Sequence, residues 1–299
     1  NIFCSYLFCI HIRSFEIKNL NKFFLFFLIF VFVGVLFQTF SSSFNSLVQQ
    51  FVANNFSKTG YIQNADFSLY GALRPTFFSS EASHLGLKIF VISCFLSKIN
   101  KSFKLDIILI LLNLILLYLV KTPTLLFFIF FIASKYFRFN LTTVITSSIL
   151  LIIIIGSLNE LFSNRLINLG LGLDHSFNRR LYIPLVNTFH VFSNYPFGIG
   201  FTSGEQMINH IFDLNNNLGI GVEPQTMRGW NGFLDFFIFF GPIGSFSISL
   251  ITYFFIKKIN IKLKFYDFVY LVIISNFFNL LSIFLWQSIF IYLSINNEK

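Results

Sequence analysis

The sequence predicts an all-helical protein that crosses a lipid bilayer several times. Three observations support this prediction: 55% of the 299 residues are hydrophobic, only 11% are charged, and phenylalanine alone supplies 47 of them. A soluble domain carries charge on about a quarter of its residues, and one water-facing globule could not bury this much apolar surface. Apolar helices of about 20 residues, each crossing the bilayer, accommodate such a composition.

The formal net charge of +9 does not indicate nucleic-acid binding. Most lysines and arginines flank apolar runs in short connections, and no basic stripe is interleaved with aromatic residues. This distribution is typical of a membrane protein oriented by its positive loops. The cysteines all lie in apolar stretches, so we expect them to be buried rather than paired or bound to metal; they are Cys4, Cys9 and Cys94.

The N-terminal part of the chain predicts two crossings. Residues 1–12 are apolar and begin without Met, so we expect the chain to lack upstream spans. Residues 13–22 are basic and are placed on the cytoplasmic side. Residues 23–40 then cross outward without a charge, and residues 41–83 form a polar, turn-rich external loop. Residues 84–97 return inward to a second basic loop.

The orientation of everything that follows depends on residues 105–138. This stretch is predicted to be a hairpin of two short helices, because Thr122 is a good N-cap and Pro123 suits the first helical position. As one span, it would instead place the next long loop in the cytoplasm. Residues 141–158 cross outward.

The C-terminal half contains the longest loop. Residues 159–231 are polar and glycine-rich, and we expect an extracytoplasmic loop that includes short helices. Residues 232–256 return inward to a basic loop, and residues 266–293 form either one span or two. The whole chain, residues 1–299, is predicted to be a single integral membrane domain with about eight or nine spans.

The first candidate site lies where a helix is expected to enter the membrane from outside. Arg74, Glu81 and His84 gather there, and Glu81 and His84 would share a helix face. Lys88 lies one turn deeper, where a charge must reach outward or face a wet cavity. The alternative is that Arg74 contacts lipid headgroups and Glu81 only complements the helix N-terminus.

The second candidate site lies in the long loop. The adjacent Arg179 and Arg180 suggest an anionic ligand, because a guanidinium group can pair two phosphate oxygens at once. The Pro196-Phe-Gly-Ile-Gly200 turn could bring backbone N–H groups to that ligand, or it could simply be a turn. Asp235 lies inside the start of an apolar span and either acts chemically or complements the helix dipole.

Other chemistry lacks a signature in the sequence. The histidines and cysteines have no spacing typical of a zinc site, so we predict no metal. No phosphate-binding loop, dinucleotide fingerprint or serine-nucleophile elbow is present, which leaves ATP-driven transport and simple hydrolysis without support.

Five short motifs occur in order along the chain. An Arg-Pro-Thr-x-Phe-x-x-Glu-Ala-Ser-x-x-Gly stretch begins at Arg74 and precedes the predicted hairpin. The long loop carries Arg179-Arg180 and Asn-Tyr-Pro-Phe-Gly-Ile-Gly, and it ends in Asn231-Gly-Phe-Leu-Asp before a helix with Gly-Pro-Ile-Gly. Over residues 65–250 this order resembles the O-antigen polymerase and ligase family of bacterial surface-polysaccharide enzymes.

The resemblance implies a glycosyltransferase of the bacterial cytoplasmic membrane that acts at the extracytoplasmic face without a metal or another cofactor. Its substrates would be oligosaccharides linked through pyrophosphate to a polyprenyl lipid. A polymerase would transfer the growing glycan onto a new lipid-linked repeat unit. The partners implied are membrane lipids, flippase and chain-length regulator proteins, and no nucleic acid is expected.

The resemblance also implies roles for single residues. The arginines would hold the pyrophosphates; they are Arg74, Arg179 and Arg180. Asn231 is placed with them as a substrate-binding residue. Fixed cations would stabilise a leaving diphosphate without a metal, and the acceptor hydroxyl needs a base or a positioning group. The catalytic candidates for that role are Glu81, His84 and Asp235.

One departure from the family favours a polymerase. The ligase branch typically has His-Asn where this chain has Trp230-Asn231, so a ligase that relies on that histidine is disfavoured. Two alternatives stay open: an O-antigen ligase that transfers glycan to another acceptor, and a glycan transporter without transferase activity.

Overall fold

A computed structural model describes residues 17–55, 73–136, 178–200, 231–258, 263–277 and 282–294. Within these ranges the chain is helical and has no strand, which confirms the predicted all-α class. The α-helices are α1 (Ile17–Phe40), α2 (Ser42–Asn55), α3 (Ala82–Asn100), α4 (Phe103–Val120), α5 (Leu126–Tyr136), α6 (Ile183–Asn194), α7 (Gly232–Lys258), α8 (Phe265–Phe277) and α9 (Ile283–Ser294). A 3₁₀ turn (Pro123–Leu125) precedes α5, and a π-helical turn (Asn178–Tyr182) precedes α6.

Four of these helices are long and apolar enough to cross a membrane: α1, α3, α4 and α7. At 1.5 Å per residue, the 19 residues of α3 extend over about 28 Å, close to the thickness of a bilayer core of about 30 Å. The apolar helices α5, α8 and α9 are shorter. The total of eight or nine spans stays a prediction, and the predicted span at residues 141–158 lies outside the described residues.

The chain divides into two compact units. The first comprises residues 12–168 and 264–270, and the second comprises residues 1–11, 169–263 and 271–299. The first unit therefore holds α1 to α5 and the beginning of α8. The second holds α6, α7, α9 and the remainder of α8.

Helix α3 is the core of the first unit. Most of its side chains are buried, including Phe90 and Leu96. Its Ser93 hydroxyl accepts a hydrogen bond from the buried Asn113 amide of α4 at 3.0 Å, and such bonds join helices where water is excluded. Helix α1, by contrast, exposes a row of phenylalanines that suits a lipid-facing surface, among them Phe23, Phe26, Phe30 and Phe37.

The predicted division of residues 105–138 is present. Helix α4 ends at Val120, Lys121 adopts the left-handed conformation, and α5 follows the 3₁₀ turn that Pro123 begins. Thr122 does not cap that turn through its side chain; its hydroxyl donates to the Ala82 carbonyl at 3.2 Å instead. The connection between α4 and α5 is therefore hydrogen-bonded to the start of α3.

One predicted loop contains a helix, and the last predicted apolar block contains two. The external loop at residues 41–83 contains α2, which Ser41 separates from α1. Helix α2 contacts α1 and buries Val48 and Val52. Residues 266–293, which were open between one span and two, contain α8 and α9. Each is shorter than the roughly 20 residues that a perpendicular span needs.

Helix α7 of the second unit is broken in its middle. Gly241 has φ 63° and ψ −179°, and Pro242 begins the second half. Proline has no N–H and its ring clashes with the preceding turn, so the helical hydrogen bonds cannot continue through it. Helix α6 packs along α7. It lies inside the predicted long loop, as the expected short helices should.

Candidate functional site

The segment before α3 is anchored on α1. The Phe77 N–H donates to Gln38 Oε1 at 2.9 Å, and the Phe77 ring lies where a Cβ on Gly34 would meet it at 1.9 Å. Phe77 and Phe78 both have positive φ, 37° and 59°, a conformation that costs energy for non-glycine residues. Ring contacts hold Phe78 against Phe44 and Phe51, so tertiary packing maintains this strained turn.

Arg74 lies at the end of the first unit where α3 begins and α4 ends. It is half-buried, and its guanidinium group donates to the Lys121 carbonyl at 3.4 Å. That carbonyl follows the last turn of α4, which is the negative end of the helix dipole. The position of Arg74 at a membrane boundary stays a prediction.

The three polar residues on the first turns of α3 have protein partners. Glu81 is the N-cap, but its side chain does not bond the first N–H groups and accepts the Ser83 hydroxyl at 2.9 Å. His84 Nδ1 lies 2.6 Å from Ser80 Oγ. Lys88 Nζ donates to Ser79 Oγ at 3.1 Å. Lys88 therefore reaches back towards the start of the helix, as expected for a cation inside an apolar span.

Asn231 joins two of the sequence motifs in the second unit. Its amide nitrogen donates to the Arg180 carbonyl and to Asn276 Oδ1, both at 2.7 Å, while its Oδ1 accepts the Leu234 N–H at 3.1 Å and caps α7. Asp235 is buried in the first turn of α7. The Arg180 segment and the start of α7, far apart in sequence, therefore meet.

Arg180 is half-buried in the π-helical turn, and its guanidinium carbon lies 5.6 Å from the centre of the Phe277 ring. Arg179 belongs to the same turn by its backbone, but its side chain lies outside the described residues, as does Trp230. Phe277 and Asn276 were not singled out in the sequence, because neither belongs to a recognisable motif.

The glycine turn of the long loop binds the broken helix. The N–H groups of Ile199 and Gly200 donate to the carbonyls of Ile238 and Phe239 at 3.2 and 3.1 Å, and the Pro196 carbonyl accepts the Ile243 N–H at 3.0 Å. These are the helical groups that the break before Pro242 leaves without a partner. The turn therefore satisfies backbone groups of α7, which is the structural alternative considered for this motif.

A second polar cluster lies at the other end of α3, and the sequence did not reveal it. Lys98 Nζ lies 3.0 Å from Asp267 Oδ1, and Lys135 Nζ lies 2.7 Å from Asp106 Oδ2. Tyr136 donates to the same Asp106 oxygen. The sequence predicts Lys98 in the basic loop that follows residue 97, but it is buried in the last turn of α3.

In both ion pairs, the sign of each charge is the one that the dipole of its helix favours. Both aspartates lie in the first turn of a helix and both lysines in the last turn, where the dipole favours each sign of charge. The signal available in the sequence was an acidic residue at the start of an apolar run. A partner that is distant in sequence could not be identified from that signal.

Within the described ranges, no group of three or more His, Cys, Asp or Glu side chains could hold a metal ion. Comparison with protein-family models, with curated proteins and with solved structures finds no match to this chain.

Proposed function

We propose that the protein is a repeat-unit polymerase that transfers a growing glycan from its polyprenyl-pyrophosphate carrier onto a new lipid-linked repeat unit. The observation that carries the proposal is the contact of Asn231 with the Arg180 carbonyl. It brings together two motifs whose order along the chain resembles the O-antigen polymerase and ligase family. The four apolar helices suit a substrate that is anchored in a bilayer.

The chemistry needs a cation at the leaving group. The acceptor hydroxyl attacks the anomeric carbon of the donor, the bond from that carbon to the pyrophosphate oxygen breaks, and the lipid diphosphate leaves with the electron pair. Arg180 is the proposed cation of the second unit for this developing charge, because a guanidinium group stays protonated and can bind two oxygens at once. Arg74 is the corresponding candidate of the first unit. The hydroxyl proton passes to a base, for which Glu81, His84 and Asp235 are the candidates.

The orientation belongs to the same proposal. The start of α3 and the end of α4, where Arg74 lies, face the extracytoplasmic side of a bacterial cytoplasmic membrane. The end of α3 with its buried ion pairs faces the cytoplasm. Lysines concentrate near that end, as the positive-inside rule requires, and they include Lys101 and Lys104.

The test compares Arg180→Ala and Arg74→Ala with the control Lys104→Ala, which removes an exposed cation near the other end of α3. Both arginine variants should remain in the membrane and shift surface glycan from long chains to single repeats. With purified protein and lipid-linked repeat units, polymer formation should fall by roughly a hundredfold, since removing one transition-state donor costs about that much. Lys104→Ala should retain full activity.

The alternatives give different outcomes. Long glycan that accumulates on its lipid carrier when the protein is lost would indicate a ligase. Purified protein that moves lipid-linked glycan but never forms polymer would indicate a transporter. Unchanged chain lengths in both arginine variants would remove the polymerase assignment.

A further inference from the structure

The end of α8 contacts both the backbone and the side chain of the Arg180 segment. Asn276 Oδ1 accepts a hydrogen bond from the same Asn231 nitrogen that donates to the Arg180 carbonyl. Phe277, the next residue, places its ring 5.6 Å from the Arg180 guanidinium carbon. Two consecutive residues of α8 therefore lie near Arg180. Asn276 is linked through Asn231 to the backbone of Arg180, and Phe277 lies near the side chain of Arg180.

The hydrogen bonds of Asn231 fix the orientation of its amide. Its nitrogen faces two acceptors, the Arg180 carbonyl and Asn276 Oδ1, and its oxygen faces the Leu234 N–H. A flipped amide would place an oxygen against two oxygens. Asn276 is held in turn, because its own nitrogen donates to the Val272 carbonyl of α8 at 2.7 Å. The backbone of Arg180 is thereby tied to the starts and ends of regular helices, which are rigid supports.

The ring of Phe277 lies within cation–π distance of the Arg180 guanidinium group. A guanidinium group stacks on an aromatic ring through its flat face, whereas its five N–H donors lie in the plane at its edges. An attraction of this kind limits the rotamers of a flexible side chain, and it differs from the N–H bonds by which a guanidinium group pairs with phosphate oxygens. The entropy lost when the arginine binds an anion becomes smaller, which strengthens binding.

We infer that Asn276 and Phe277 are positioning residues that hold Arg180 ready to bind the diphosphate of a lipid-linked glycan. The inference rests on the proposed function for the identity of the ligand. Neither residue is assigned contact with the substrate; both act through Arg180. Their effect should therefore disappear when Arg180 itself is removed.

The main experiment is a double-mutant cycle with purified protein and lipid-linked repeat units. Phe277→Leu removes the ring and keeps an apolar side chain, whereas Phe277→Tyr keeps the ring. Phe277→Leu should raise the KM for the lipid-linked repeat unit roughly three- to thirtyfold, and Phe277→Tyr should restore it. Asn276→Leu should also raise the KM. The matched control is Phe268→Leu, which makes the same change at an exposed ring on the same helix.

The decisive comparison uses the Arg180→Ala background. There, Phe277→Leu should have no further effect, because the side chain on which Phe277 acts is gone. An equal loss of activity from Phe277→Leu with and without Arg180, or a wild-type KM for Phe277→Leu, would overturn the inference and leave the polymerase assignment standing.

A binding measurement separates this inference from the proposed function. Farnesyl diphosphate serves as the probe, added to the purified full chain in detergent. If the protein forms no polymer but binds the probe in a manner that requires both Arg180 and Phe277, the polymerase proposal fails and the positioning role stands. If binding does not depend on either residue, the positioning role fails.

Discussion

Lys98 and Asp267 form an ion pair, with Nζ and Oδ1 3.0 Å apart, and their side chains are only 2% and 0% exposed. The pair joins the last turn of α3 to the first turn of α8 inside the first unit. Removing two charges from water is costly, and only good geometry offsets that cost. Loss of one partner should therefore be far worse than loss of both.

This relationship predicts that Asp267→Asn destabilises the protein by about 3–5 kcal/mol, because it leaves the Lys98 ammonium buried without its opposite charge. The double variant Lys98→Met with Asp267→Leu should recover most of that loss. Thermal unfolding of purified protein in detergent measures both. A double variant as unstable as Asp267→Asn would show that the unpaired charge of Lys98 does not cause the loss of stability.

The glycine turn predicts a difference between two neighbouring residues that both have positive φ. Gly200→Ala should cost only about 1–2 kcal/mol for its left-handed conformation, since no atom of the described residues lies within 4 Å of an added Cβ. At Gly198 the Cβ would meet the Phe239 carbonyl oxygen at 2.3 Å. Gly198→Ala should therefore also break backbone bonds to α7, at about 1 kcal/mol each or more.

The melting temperatures of Gly198→Ala and Gly200→Ala are the measurement. Gly198→Ala should melt well below Gly200→Ala, and Gly241→Ala should resemble it, because a Cβ there would lie 2.2 Å from the Gly198 nitrogen. Equal melting temperatures for Gly198→Ala and Gly200→Ala would contradict the packing of the turn against the helix break.

Asn231→Asp should damage the second unit although it changes no volume. The new carboxylate would place an oxygen against the Arg180 carbonyl and Asn276 Oδ1, where the wild-type amide donates. Losing these donors inside the protein should cost about 1–3 kcal/mol. Asn194→Asp, at an exposed position of α6, is the control. A stability equal to that of the control would contradict the described hydrogen bonds.

The proposed orientation can be tested by cysteine labelling. In a background without the three native cysteines, Ser46→Cys on α2 should react in intact cells with a reagent that cannot cross the membrane. Lys104→Cys should react only after the cells are opened, because it lies beyond the other end of the α1 and α3 spans. Both positions are exposed. The reverse pattern would place Arg74 in the cytoplasm and exclude an extracytoplasmic active site.

Local patterns in the sequence predicted the helices and one of their breaks. The apolar runs lie where α1, α3, α4 and α7 are found, and the Thr122-Pro123 pair predicted the division between α4 and α5. Such features depend on residues a few positions apart, and proline acts on the backbone wherever it occurs. The helical class could for this reason be predicted from the sequence.

The contacts of individual side chains could not be predicted from local patterns. The sequence showed a glycine turn with backbone donors but could not show that the carbonyls of Ile238 and Phe239 accept them. It placed Lys98 in a basic loop and could not show that Asp267 lies against it. It did not single out Phe277, whose ring centre lies 5.6 Å from the Arg180 guanidinium carbon.

The sequence by itself thus determined which segments are helical and apolar enough for a bilayer, because a backbone without water must satisfy its own hydrogen bonds and its side chains must match the solvent. Only the tertiary structure decided which polar groups meet. Contacts such as that between Asn231 and Arg180 join residues far apart along the chain, and their geometry exists only once the helices between them have packed.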